Sequence, residues 1–146
     1  MLLLMVPVWA QDADSPVDTT VTTLQYNLLM DARGHEVTGL CIMNISADGS
    51  VVGTIINELG VKAFDFTRDH GRTRVLNVLG PLNKWYIRKV LRNDVTFILD
   101  HIREGREAQW KKRRIVFQPD GDIRVCNDRF RINYTFTPMK ENETIE

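Results

Sequence analysis

The side chains with chemistry to offer are few and scattered. His35, His70 and His101 sit in separate parts of the chain, and none has a second His or Cys at the i+2, i+3 or i+4 spacing that gathers metal ligands on one face. Asp69-His70 falls in a turn and Asp100-His101 in a helix, where both histidines read as surface residues. Ser15, Ser46 and Ser50 include no G-x-S-x-G elbow. Cys41 lies in the apolar run Gly39-Leu40-Cys41-Ile42-Met43, a setting that disfavours the thiolate a nucleophile needs. Glu58, Asp65 and Asp94 could face a cavity, but structural ion pairing suits them better, with Asp94 at the edge of a helical stripe placed to meet an arginine. These residues predict no catalytic centre, no metal site and no cofactor, hence a protein that is not an enzyme.

The one charge cluster is Trp110-Lys111-Lys112-Arg113-Arg114. Basic residues beside an indole suit phosphate or lipid headgroups. The plainer reading is a solvated strand entry. Arg103, Arg106, Lys84, Arg88 and Arg92 lie close enough in sequence to extend a basic rim. The whole chain carries 19 Lys+Arg against 19 Asp+Glu, so no global field recruits nucleic acid.

These residues need elements to place them, and 146 residues suffice for one domain with its own core. Residues 1–10, an apolar run ending Val8-Trp9-Ala10, read as an export signal, too short to span a bilayer. Residues 11–21 read as a disordered leader, 22–138 as a single α+β domain and 139–146 as a flexible tail. Export predicts the periplasm or the outer-membrane periphery of a Gram-negative bacterium. Cys41 and Cys126 sit in strand-like contexts and are expected to stay unpaired. Of the sequons at Asn44, Asn133 and Asn142, the first two fall within expected strands.

Strand patterns recur at 22–30, 37–45, 51–59, 61–67, 73–79, 113–118, 123–126 and 130–137, divided by turn signals such as Asp48-Gly49, His70-Gly71 and Asp120-Gly121. Phe130, Ile132, Tyr134 and Phe136 alternate cleanly with polar residues. One helix is expected from about Lys84, capped by Asn83, with Ile87, Leu91, Val95, Ile98 and Ile102 as its apolar stripe and Gly105 beyond its end. A single helix covers seven or eight strands only if the sheet curls, so the expected fold is a curved, half-closed antiparallel sheet packed on one amphipathic helix. The strands 37–45 and 51–59 are apolar on both faces. One face serves the helix. The other calls for an apolar ligand, a dimer mate or an envelope partner. Leu40, Ile42, Ile55, Phe64, Phe66, Leu76, Val78 and Leu91 are the expected lining of an apolar cavity between sheet and helix.

The run from Asn57 to Phe66 (NELGVKAFDF) and the segment KWYIRKVLRNDVTFIL ending at Leu99 resemble small envelope proteins of Bacteroidota-type bacteria. Their architecture is similar to that of the LolA/LolB-type lipoprotein carriers, and the resemblance covers roughly Gly39 to Thr137. It implies a curved sheet enclosing an apolar space for acyl chains. It also implies a lipid or lipoprotein as ligand, an envelope protein as possible partner, and at most a peripheral association with membrane. The lipobox cysteine of lipoprotein members is missing here, and only one helix is expected.

Overall fold

The computed structural model describes residues 20–139. The expected signal, most of the leader, the sequon at Asn142 and all but the first residue of the tail lie outside them. The elements are β1 (Val21–Ala32), β2 (His35–Ser46), β3 (Val51–Asn57), β4 (Lys62–Asp69), β5 (Arg72–Leu76), α1 (Trp85–His101), β6 (Ala108–Trp110), β7 (Arg113–Phe117), β8 (Ile123–Asn127) and β9 (Ile132–Pro138). All nine strands form one antiparallel sheet in the order β5-β4-β3-β2-β1-β9-β8-β7-β6. Two meanders, β1–β5 and β6–β9, are thus joined in the middle by β1 pairing with β9. The sheet is not closed: β5 and β6 are its edges, and α1 with its flanking loops is the connection between them.

The ninth strand is β6, where a solvated entry was expected. Three residues are too few to show a period of two. Its hairpin turn is Lys111-Lys112, with φ of 48° and 67°, the type I′ geometry usually marked by Asn or Gly. Arg33-Gly34 and His70-Gly71 make the same turn with the glycine that signals it.

The helix begins one residue later than its apolar pattern suggests. Lys84, in extended conformation, takes the N-cap place with no side-chain cap. Asn83 instead ends the short 3-10 turn Gly80–Leu82, and its Oδ1 accepts a hydrogen bond from Arg88. Leu91, Val95, Ile98 and Ile102 are buried and Ile87 packs beside them, as the stripe requires; Phe97 and Asp94 join the buried side. Opposite them, Tyr26, Leu28, Cys41, Met43, Ile45, Phe64, Phe66, Ile115, Val125, Tyr134 and Phe136 face inward from the strands.

β3 passes under Phe66 at Gly53, its partner in register, where a Cβ would stand 2.2 Å from the ring's Cζ. The strand therefore needs glycine there to let a fully buried ring lie flat on its backbone. Gly53→Ala should lower stability by about 1–3 kcal/mol in a urea titration through overpacking. Gly80→Ala, which meets open space, should stay within about 0.5 kcal/mol.

Candidate functional site

The most chemically loaded point in the interior is Asp94, 1% exposed on the sheet side of α1. Its Oδ1 accepts 2.8 Å hydrogen bonds from Arg113 Nε and Asn127 Nδ2, and its Oδ2 accepts one from Tyr134 Oη. One carboxylate thereby ties the helix to β7, β8 and β9. Arg113 is 7% exposed and lies over the Trp110 ring at 5.6 Å, so it is removed from the expected basic rim and acts as an internal counter-charge. Asn127 in turn accepts a hydrogen bond from the Phe130 N–H on its Oδ1, which fixes the β8–β9 turn. Burial first, and then the Asp94 charge, push the Tyr134 hydroxyl well above the usual phenol range. It stays a donor at any neutral pH. With Asp94 holding a partner from each of three strands, the cluster is a structural tie.

The open space lies elsewhere. A cleft of about 470 Å³ sits between the β2–β3 turn, the β4–β5 turn and the last turn of α1. Met43, Ile45, Val51, Leu99 and Ile102 give it an apolar floor. Asp48, Arg68, Asp69, His70, Asp100 and Arg103 surround that floor. Most of these charges are already engaged. Arg68 reaches Asp100 at 2.8 Å and the Thr96 carbonyl at 3.4 Å, pinning α1 to β4, while His70 meets Asp69 at 2.8 Å. The Ser50 N–H and hydroxyl hold the Asp48 carboxyl below the usual carboxylate range. Arg103 makes no ion pair among the described residues. A half-apolar cleft with one free cation at its mouth suits an amphiphile better than a polar substrate.

The residues expected to line a cavity divide by sheet face. Phe64, Phe66 and Leu91 belong to the packed core, and Ile55 and Val78 pack against it. Leu40 and Ile42 lie on the other face of β2, because Cys41, Met43 and Ile45 are the residues turned toward the helix. Leu76, paired with Asp65, is 38% exposed on that same outer face. None of the eight lines the cleft. Both faces of β2 and β3 are apolar, so their pattern carries no mark of which one faces inward. Met43 and Ile45, on one apolar face of β2, and Ile102 of the helix stripe are floor residues the sequence offered.

Of the expected basic rim, Trp110, Lys111, Lys112 and Arg114 are exposed at the β6–β7 turn, with Lys111 5.0 Å from the Trp110 ring centroid and Arg114 paired to Asp128. Asp65 is engaged by Lys62 and Asn77, and Glu58 is exposed in a turn. His35 is exposed, and His101 contacts Glu104 at 3.1 Å. Cys41 is buried and Cys126 half-buried, and both are free thiols. Among the described residues no group of three or more His, Cys, Asp or Glu is placed to hold a metal ion. No helix there is long and apolar enough to cross a membrane. Comparison of the chain with protein-family models and with curated proteins returns no match.

Two tests follow from the buried groups. Asp94→Ala leaves Arg113 as an uncompensated buried charge and should cost about 3–5 kcal/mol in urea unfolding. Arg114→Met, which breaks an exposed pair, should cost no more than about 1 kcal/mol. The second concerns alkali. Burial pushes the Cys41 thiol from 9.0 up to about 12 and the Tyr26 hydroxyl from 10.0 up to about 12. Above its unfolded value each group ionises in the unfolded chain first, so the unfolded state binds fewer protons and stability falls as pH rises. Stability should be level from neutral pH up to 9.0, then fall by about 1.4 kcal/mol per pH unit as Cys41 engages. The fall should steepen above pH 10.0 as Tyr26 and Tyr134 join it. Denaturant midpoints across this range check the curve, and Cys41→Ala should move its onset up by one pH unit.

Proposed function

We propose that the chain is a non-enzymatic cell-envelope protein that holds the apolar part of a lipid, or of a lipoprotein's acyl chain, between a curved, half-closed sheet and its helix. The curvature rests on reach. A flat sheet would put β5 and β7 about 34 Å apart, yet α1 contacts both. The ligand reading rests on one observation, the cleft at the C-terminal end of α1 with Met43, Ile45, Val51, Leu99 and Ile102 as its floor. The rest of the interior is filled by Phe66, Phe97, Phe136, Ile115 and Val125, all nearly inaccessible, so the ligand enters at the end of the sheet and not between its middle strands. Arg103 gives an anionic headgroup a partner at the mouth. The apolar run of residues 1–10 supports export to the periplasm or the outer-membrane periphery.

A second reading has its own support. Leu29, Leu40, Ile42 and Ile56, half-buried, and Val52, 57% exposed, occupy outward positions on β1, β2 and β3 and form an apolar band away from the helix. Such a band suits a dimer mate or an envelope partner.

Purified protein should carry lipid detectable by native mass spectrometry after mild release, and should bind 1-anilinonaphthalene in competition with a fatty acid. Leu99→Glu should weaken that binding roughly 10- to 100-fold, the loss expected for one buried leucine contact. Dye binding that ignores both the fatty acid and Leu99→Glu, with no lipid released, would sink the ligand reading. A concentration-independent dimer by light scattering, dispersed by Ile42→Lys, would favour the second.

A further inference from the structure

An antiparallel sheet sends its turns alternately to two ends, and in this protein the two ends differ in chemistry. The cleft end holds the β2–β3, β4–β5 and β7–β8 turns and the C-terminus of α1. The opposite end holds the β1–β2, β3–β4, β6–β7 and β8–β9 turns and the β5–α1 connection. Followed through the pairing, Leu76 of β5 stands level with Gln25 of β1, Asn57 with Leu28, and Trp110 with Ala32. The stagger runs through the first meander only, the tips stepping back from Ala32 toward the edge strand β5, while those of the second meander stay level with Ala32; strand direction delivers all of them to one end.

Of the ten large apolar or aromatic side chains exposed among the described residues, eight belong to this second end and only Val21 and Val52 to the other. Leu59, at the tip of the β3–β4 turn, is 84% exposed, and Trp85, at the start of α1, is 70% exposed. Trp85 and Tyr86 meet edge to face at 5.7 Å. Leu79 is held beside β4 by its N–H to the Ala63 carbonyl at 2.8 Å, which brings the β5–α1 connection against the strand that Leu59 and Val61 precede. The charge is as uneven. Leaving out the buried Arg113, segments 31–36, 57–62, 76–89, 110–114 and 127–132 hold ten Lys and Arg against four Asp and Glu. The cleft-end segments 46–51, 68–73, 99–108 and 117–123 hold four against seven.

We propose that this basic, aromatic end docks on an anionic lipid bilayer surface. Tryptophan and tyrosine favour the headgroup level, and lysines there add attraction to anionic lipid. Single apolar side chains on separate turn tips can each enter a soft surface without packing against one another. A protein partner fits less well. Protein interfaces are depleted in lysine, whereas Lys62, Lys84, Lys89, Lys111 and Lys112 cluster at this end. The proposal is independent of the cleft, which opens at the far end and stays accessible when the tips are seated.

Flotation of the full chain with phosphatidylglycerol–phosphatidylcholine vesicles, and with phosphatidylcholine alone, tests it. Binding should need the anionic lipid and weaken with salt. Lys84→Glu and Lys112→Glu should each reduce it about fivefold or more, and Leu59→Ser with Trp85→Ser about tenfold or more. Arg72→Glu, at the cleft end, should leave it unchanged. All five sites are exposed, and far-UV circular dichroism confirms that each variant is folded. No flotation with anionic vesicles would overturn the proposal. So would binding indifferent to Leu59→Ser and Trp85→Ser. So, too, would polyglutamate that displaces the vesicles and still binds the Leu59/Trp85 variant at full strength, since that assigns the face to an acidic protein. Dye binding in the cleft stands or falls separately.

Discussion

The architecture depends on a carboxylate with no access to water. A buried charge is stable only when its hydrogen-bonding capacity is met, and Asp94 meets it with Arg113, Asn127 and Tyr134, one partner from each of β7, β8 and β9. Those strands belong to the second meander, while α1 emerges from the first. The sheet pairs the two meanders only along β1 and β9, at its centre. The Asp94 cluster adds a second bond between them through the helix. Arg68, joined to Asp100 and to the Thr96 carbonyl, supplies the matching tie on the β4 side. The helix is therefore fixed to both wings of an open sheet by ion pairs of the same polarity, its own acids meeting the strands' arginines.

That arrangement decides where space remains. Phe97, Leu91 and the Asp94 cluster fill the middle of the contact between sheet and helix. Space remains at two margins of that contact: a groove between α1 and the edge strand β5, lined by Val75, Leu76, Arg92 and Thr96, and the cleft, where α1 ends beside the β2–β3 and β4–β5 turns. Arg68 belongs both to the tie and to the cleft wall, so the contact that positions the helix also shapes the mouth. The cleft is a consequence of where α1 stops, not of an unfilled core.

Much of this was legible in residues whose environment leaves only one solution. The stripe Leu91-Val95-Ile98-Ile102 and the alternation Ile132-Tyr134-Phe136 have a wet side and a dry side, and period alone orients them. Asp94 could be assigned to an arginine because an acid at the border of an apolar stripe needs one, although sequence spacing held no hint that Arg113 was the partner, 19 residues on. Where both faces were apolar the pattern was mute. In β2 the choice between Leu40-Ile42 and Cys41-Met43-Ile45 is made by pairing, with Tyr26 opposite Cys41, and pairing is not local. Arg113 was read as part of a surface cluster because its neighbours Lys112 and Arg114 are on the surface. In a strand, alternate residues go to opposite faces, and the middle member of a basic run can be the buried one.

The same alternation explains why the charge of this molecule is invisible in its composition. Nineteen cations and nineteen anions sum to a neutral chain, and a reading along the sequence meets them mixed. An antiparallel meander is a sorting device: each strand reverses direction, so successive turns are delivered to opposite ends, and residues brief in sequence separation finish a strand length apart. The acidic turns at Asp48 and at Asp120-Gly121-Asp122 go one way, and the basic ones at Lys111-Lys112 and Arg129 the other. A neutral total then coexists with a polar body, basic and aromatic at one end, acidic around a cleft at the other. Any surface or ligand that responds to charge meets one end at a time, so it is the sorted charge and not the sum that governs what this protein can bind.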